Sequence, residues 1–130
     1  METVTTMRFD DPQLLTFLSG ADAAELDQLE FGVIGFDAET LVCVYNAYES
    51  RCAALAPSRV LAQPLFTMVA PCMNNFMVAH RFEETQASGE SLDEIIDYVL
   101  TLRMRPAKVK LRLLARPNVT LRYVLVQRAI

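Results

Sequence analysis

The sequence predicts an α+β fold in which helices pack on one antiparallel sheet. Two short apolar segments, 31–36 and 41–45, flank a four-residue polar turn and are typical of a hairpin. Three longer segments, 93–104, 107–115 and 119–128, follow after a central region of helical composition that prolines interrupt. Because 130 residues is the length of one domain, all five segments are expected to share a single fold.

Two short helices are predicted ahead of the hairpin. Asp11 is expected to cap the first helix, with Pro12 in its first turn and Gly20 at its end. The second helix is predicted over 23–29. The chain therefore begins with a helical segment before its first strand.

Two further helices are predicted between the strands. Residues 46–55 have helical composition, and a later helix is expected to end near Gly89, since glycine readily adopts the left-handed conformation that closes a helix. Phe76, Ala79 and Phe82 are spaced to share one face of that later helix. This apolar face is expected to pack in the core.

The segment 93–104 has the strongest strand signal. Its apolar and polar side chains alternate, and this two-residue period places one set towards the core. The apolar set consists of Ile96, Tyr98, Leu100, Leu102 and Met104.

Charge is unevenly distributed along the chain. All 16 acidic residues lie at or before Asp97, whereas residues 99–130 contain eight Lys and Arg residues and no acid. A basic segment can indicate a nucleic-acid partner. Lys108, Lys110 and Arg112 alternate with apolar residues, however, as on the solvent face of an antiparallel strand. We therefore expect no nucleic-acid partner.

Composition also limits the compartment and the cofactor class. No apolar run approaches the ~20 residues of a membrane span, and residues 1–9 lack the pattern of a secretory signal. The three cysteines, Cys43, Cys52 and Cys72, lack metal-type spacing and fit reduced thiols in the cytoplasm; His80 is the only histidine. We expect neither a membrane nor a metal partner, and we assign Cys43 and Cys52 to packing.

The most informative constellation combines a cysteine with a phenol and a carboxyl group. Cys72 ends the run Val69-Ala70-Pro71-Cys72, and Tyr45 and Glu49 have the i, i+4 spacing that can place both on one face of a helical turn. A thiol can carry a chromophore as a thioester, and a buried phenolate needs short, charge-assisted hydrogen bonds. A tyrosine hydroxyl and a carboxyl group that stays protonated beside the phenolate would donate such bonds.

In residue content and order, the chain resembles the photoactive yellow protein family, whose members have the PAS fold. The resemblance covers nearly the whole chain. The matching segments are Leu26-Asp-x-Leu-x-Phe-Gly32, Tyr45-Asn46-Ala47-x-Glu49, Val69-Ala70-Pro71-Cys72, Ala87-Ser88-Gly89 and Met104-x-Pro-x-Lys-Val-Lys110.

The resemblance implies a PAS-like fold with a covalent chromophore. A five-stranded antiparallel sheet would have helices on one face and an N-terminal helical cap, residues 1–29, on the other, with residues 30–130 forming the sensor core. The chromophore would be p-coumaric acid, thioester-linked to Cys72, with Tyr45 and Glu49 hydrogen-bonded to its phenolate.

The resemblance also implies a signalling mechanism. Trans–cis isomerisation in blue light, with proton transfer from Glu49, would release the cap to an unidentified downstream signalling protein, which we expect to be a separate chain. By strand parity, Leu100, Leu102 and Met104 face the core and are expected to line the pocket. Ala53 and Leu55 stand where the family usually has a hydroxyl residue and an arginine, which predicts a shifted colour or altered kinetics.

The proposed cap and the outer face of the sheet have complementary charge. Residues 1–30 contain seven acids against Arg8 alone, whereas the strands that they would cover are rich in Lys and Arg. Exposed ion pairs contribute only roughly 0–1 kcal/mol each. We therefore expect apolar side chains to dominate the docking of the cap, namely Phe9, Leu14, Leu15 and Leu18.

Three functional classes remain open from the sequence. The first is a light sensor with p-coumarate on Cys72, and the second is a PAS-type small-molecule-binding or protein-interaction module with the same pocket but no working photocycle. The third is an enzyme with Cys72 as nucleophile. It is the least supported, since the lone His80 is a poor candidate for the activating base.

Overall fold

The computed structural model describes residues 7–101 and 106–128, and its centre is a five-stranded antiparallel sheet. The strands are β1 Gly32–Phe36, β2 Val42–Tyr45, β3 Leu92–Leu100, β4 Ala107–Ala115 and β5 Arg122–Arg128. Their order across the sheet is β2-β1-β5-β4-β3, so the first hairpin joins the last three strands where β1 pairs with β5. The predicted α+β fold is confirmed.

Short helices cover both faces of the sheet. They are α1 Leu14–Gly20, α2 Ala23–Leu26, α3 Ala47–Ala53, α4 Pro57–Val60 and α5 Ala79–Ser88. A π-helical turn, Leu65–Val69, and a 3₁₀ turn, Pro71–Met73, connect α4 to α5. In the described part of the chain, no helix combines the length and apolar character needed to cross a membrane.

The inner face of the sheet packs against the central helices. Ile34, Leu111 and Val124 of the sheet share this core with Phe66 and Phe82 of the helical region. The aromatic rings meet edge to face: the centroid of Phe36 lies 5.4 Å from that of Phe66 and 4.9 Å from that of Phe82. Val60 of α4 belongs to the same core, and Glu49 of α3 packs against Gly32 of β1, so the three central helices lie on one face, as predicted.

The outer face packs against the N-terminal segment. Val33, Leu114 and Leu125 alternate with the inner-face residues along their strands and contact a second apolar cluster. The N-terminal members of that cluster include all four side chains predicted to dominate the docking, Phe9, Leu14, Leu15 and Leu18. The placement of the cap on this face is therefore confirmed, whereas its division from the core at residue 29 stays a prediction.

The two N-terminal helices are shorter than the sequence predicts. The Asp11 carboxylate accepts a hydrogen bond from the Gln13 amide at 2.7 Å, and the Asp11 carbonyl accepts one from the Leu14 amide at 3.1 Å. Asp11 thus closes a turn ahead of α1, which begins at Leu14 rather than at Pro12. The second helix ends at Leu26, three residues before the predicted end.

The later helix begins after Phe76, so the prediction that this ring shares the helix's apolar face is wrong. Asn75 accepts hydrogen bonds from the amides of Met77 and Val78, which forms a turn that leaves Phe76 79% exposed. The end of the helix is as predicted, with Gly89 in the left-handed region at φ 72°.

Strand boundaries differ slightly from the predicted ones. β3 ends at Leu100 and β5 begins at Arg122 rather than at residue 119. Leu102 and Met104, both predicted to line the pocket, lie in 102–105, outside the described residues.

Arg112 is buried, which corrects the prediction that it lies on a solvent-exposed face. Lys108 and Lys110 are exposed, but Arg112 is 3% exposed because the N-terminal segment covers the middle of β4. Its Nη1 donates to the carbonyls of Phe9 at 2.9 Å and Asp11 at 2.7 Å. Its Nε and Nη2 donate to the Asp93 carboxylate at 2.9 and 3.0 Å. Arg112 therefore binds the cap to the sheet.

Candidate functional site

Glu49 on α3 is buried in an ion pair with Arg128 at the end of β5. Arg128 Nη1 donates to Oε1 at 2.7 Å, and Nη2 donates to Oε2 at 3.0 Å. This two-pronged geometry stabilises a carboxylate that would be costly to bury alone. The sequence predicts a neutral Glu49 that donates to a phenolate. In this arrangement both oxygens instead accept from Arg128, so a neutral Glu49 that donates from one oxygen requires Arg128 to release at least that oxygen.

The first residue of β1 makes room for this carboxylate. A Cβ atom at Gly32 would overlap Oε1 of Glu49 and would lie 3.0 Å from its Cδ and 3.2 Å from its Cβ. The contact with Oε1 is shorter than Cβ atoms make in proteins, and the other two are unusually tight. The position of Glu49 therefore depends on glycine at residue 32.

Tyr45 places a buried phenol beside the same pair. It ends β2 and is 7% exposed. Burial, followed by the negative charge of Glu49, raises the pKa of Tyr45 far above its ordinary value, so the hydroxyl stays protonated. It is therefore a donor that could serve a ligand oxygen.

Asn46 fixes the start of α3, and the sequence analysis did not assign it a role. Its Oδ1 accepts from the amides of Val33 at 2.9 Å and Glu49 at 3.1 Å. Its Nδ2 donates to the carbonyls of Leu26 at 2.9 Å and Phe31 at 3.1 Å. One buried side chain thus connects the helix of Glu49 to both the sheet and the N-terminal segment.

Cys72 lies in the 3₁₀ turn Pro71–Met73, half-buried against the inner core. Its carbonyl accepts hydrogen bonds from the Tyr98 hydroxyl at 2.6 Å and from Asn75 Nδ2 at 3.2 Å. Asn75 Nδ2 also donates to the Tyr98 hydroxyl at 2.6 Å. Strand β3 therefore holds the turn that carries the thiol.

The other two cysteines are exposed, so their assignment to packing is wrong. Cys43 follows Val42 on β2, where strand alternation turns it away from the buried side. Cys52 lies on the solvent side of α3. A thiol reagent therefore meets three accessible or partly accessible thiols, and a Cys72 variant is needed to locate an adduct.

The structure groups part of the predicted site and adds Arg128 to it. Tyr45, Cys72 and Leu100 belong to one inner core, and Glu49 interacts electrostatically with Tyr45. Arg128 was missed, although its parity with Val126 would have placed it on the inner face of β5. Sequence alone gave no reason to match it with Glu49.

An open groove of about 920 Å³ reaches a neighbour of Cys72 and the partner of Glu49. Tyr98, which hydrogen-bonds to the Cys72 carbonyl, contributes to one part of its wall, and Arg128, which holds Glu49, contributes to another. Met77, Val99 and Val109 supply apolar surface between charged side chains. The groove thus gives access from solvent to the neighbours of the site residues.

The strand order, the inner helices and the small buried polar site define a PAS-type sensor domain. The PAS domain of an HTR-like protein from Haloarcula marismortui is similar in fold, with a TM-score of 0.56 at 20% identity over 91% of this chain and 98% of that one. No family model matches the sequence.

Individual relatives identify the family. A photoactive yellow protein from Halochromatium salexigens is 33% identical over 82% of this chain and 85% of its own length. The photoactive yellow protein domain of the sensor histidine kinase Ppr from Rhodospirillum centenum has a TM-score of 0.79 and 32% identity, covering 87% of this chain and 98% of that domain. The chain belongs to the photoactive yellow protein family.

Proposed function

We propose that the protein is a blue-light photoreceptor that carries p-coumaric acid as a thioester on Cys72. The observation that carries the proposal is that the buried phenol of Tyr45 lies beside the buried Glu49 carboxyl group and shares one inner core with Cys72. The oxygen of a phenolic ligand placed between these two groups would accept charge-assisted hydrogen bonds from both. Membership of the photoactive yellow protein family supports the same function.

Attachment requires an activated acid and the thiolate of Cys72. The sulfur would attack the carbonyl carbon of an activated p-coumaroyl ester, forming the C–S bond as the bond to the activating group breaks. The proton of the thiol would leave with the activating group. The 3₁₀ turn and its hydrogen bonds to Tyr98 and Asn75 would hold the sulfur in place during this reaction.

The pocket residues have distinct proposed roles. Tyr45 and Glu49 would donate hydrogen bonds to the phenolate, and Leu100 would exclude water from its apolar part. Met104 is proposed as a second lining residue, although it lies outside the described residues. The bound chromophore would supply light absorption and a change of shape on trans–cis isomerisation.

Signalling would start from the charge on Glu49. Loss of its proton would leave a buried carboxylate, whose cost is several kcal/mol unless a partner is available. Asn46 hydrogen-bonds to the Glu49 amide on one side and to the Leu26 carbonyl on the other, so movement of α3 would reach the N-terminal segment through one side chain. Release of that cap to a separate signalling protein is the proposed output.

Intact-protein mass spectrometry tests the attachment. After reaction with activated p-coumarate and a wash with a mild thiol, the purified protein should gain the mass of one p-coumaroyl group. Cys72→Ala should gain none, and the matched variant Cys52→Ala, at an exposed cysteine, should load like the wild type. Equal loading of Cys72→Ala would contradict the proposed site.

A second function, a PAS-type binding or interaction module without a photocycle, is favoured by the Glu49–Arg128 pair. This pair satisfies the carboxylate fully, so the pocket is stable without a phenolate. Such a module would either form no adduct on Cys72 or form one without a red-shifted band that bleaches in light.

A further inference from the structure

We propose that Arg128 sets the charge state of Glu49 and leaves it when the pocket takes up a phenolic ligand. The loading step rests on the proposed function, whereas the hold of Arg128 on Glu49 does not. Arg128 would thus be a positioning residue, which keeps the empty pocket neutral and frees Glu49 to act as a hydrogen-bond donor.

The two partners differ in their freedom to move. The Glu49 side chain is 2% exposed, packed against Gly32, and fixed to α3. The Arg128 side chain is 17% exposed and borders the open groove. A long arginine side chain can withdraw into such a groove and keep its charge hydrated. Arg128 is therefore the partner that can leave.

Arg128 is the charged neighbour that determines whether the carboxyl group of Glu49 is ionised. Among the described residues, Tyr45, Tyr48 and Arg128 interact electrostatically with the Glu49 carboxylate, and Cys52 interacts with each of these three. Burial lowers the pKa of Arg128, but its hydrogen bonds and attraction to Glu49 outweigh burial and raise it, so it stays charged. Both tyrosines have raised pKa values and stay neutral. Arg128 is thus the one cation in this described set.

Uptake of a phenolic ligand changes the charges around Glu49. A phenolate beside Glu49 would place two negative charges in a buried site, which disfavours ionisation of both. Once Arg128 withdraws, the carboxylate has no cation partner among these groups and can take up the proton that the ligand hydroxyl gives up. The neutral carboxyl group can then donate to the phenolate, with no net change in the number of protons.

The empty protein tests the first half of the proposal by infrared spectroscopy at neutral pH. The wild type should lack a carboxylic-acid C=O stretching band from Glu49, because Arg128 keeps this group ionised. Arg128→Gln should show the band, and Glu49→Gln/Arg128→Gln should lose it again. Absence of the band in folded Arg128→Gln would overturn the proposal.

Two further variants distinguish the loss of the positive charge beside Glu49 from a general effect of substituting an arginine on β5. Arg128→Lys keeps a cation near Glu49 and should lack the band in a folded protein. Arg122→Gln removes an arginine from the same face of β5, six residues and roughly 20 Å away, and should match the wild type. A band in Arg122→Gln as strong as that in Arg128→Gln would also overturn the proposal.

Loading with activated p-coumarate tests the second half. The wild type should gain the carboxylic-acid band when the adduct forms, whereas Arg128→Gln should show it before and after. A loaded wild type without the band would show that Arg128 stays on Glu49, which contradicts the release. If the wild type forms no adduct, the proposed function and the release step fail together, but the result on the empty protein still decides whether Arg128 controls Glu49.

Discussion

Gly32→Ala should lower the free energy of unfolding by about 3 kcal/mol or more, because the new methyl group competes with the Glu49 carboxylate for the same space. Oε1 can move away only if its hydrogen bond to Arg128 Nη1 breaks or the Arg128 side chain moves with it. The variant must therefore separate or displace the buried ion pair, or push β1 away from α3, because Cδ and Cβ of Glu49 are crowded as well as Oε1. Urea unfolding followed by circular dichroism measures the loss.

Gly20→Ala is the matched control for this substitution. Gly20 is the last residue of α1, and a Cβ atom there would meet nothing within 4 Å. Alanine at that position should be neutral or slightly stabilising, since it restricts the unfolded chain. Similar losses in the two variants would show that the carboxylate of Glu49 does not need the space at Gly32.

Arg112→Met should loosen the N-terminal segment and lower the free energy of unfolding by about 3 kcal/mol, from two charge-assisted hydrogen bonds at roughly 1.5 kcal/mol each. The carbonyls of Phe9 and Asp11 would lose their guanidinium donor. Asp93 is half-exposed and would be rehydrated, so it adds little to the cost. Methionine keeps most of the apolar volume, which confines the effect to the lost hydrogen bonds.

Hydrogen exchange locates this effect within the chain. Amides of 7–20 should exchange much faster in Arg112→Met, while those of β4 and β5 change little. Lys110→Met is the control, because Lys110 lies on the same face of β4 but forms an exposed ion pair with Asp97. If Lys110→Met exposes 7–20 to the same degree, Arg112 is not the residue that binds the cap.

The strands and the outline of the site could be predicted because they depend on local patterns. Alternating side chains, and a polar turn between two apolar segments, located the strands to within a few residues. Tyr45 and Glu49 are close, but they do not share a helical turn as the spacing suggested, because Tyr45 ends β2 and Glu49 lies on α3. The match of consecutive segments gave the family, which the 33% identity to a photoactive yellow protein confirms.

The errors at Arg112 and Arg128 concern contacts between distant segments. A two-residue period places Arg112 on the outer face of β4 but cannot show that Phe9 and Asp11 cover it. The period likewise places Arg128 on the inner face of β5 but does not pair it with Glu49, 79 residues earlier. Such pairings follow from strand order and the packing of the helices, which no local pattern contains.

The most direct test of a photoreceptor is the visible absorption of the loaded protein before and after a blue flash. With p-coumarate on Cys72 and its phenolate held by Tyr45 and Glu49, the protein should show a band shifted to the red of free p-coumarate. This band should bleach after the flash and recover in the dark. An adduct on Cys72 without such a band, or with a band that light does not bleach, would contradict the account and favour the binding module.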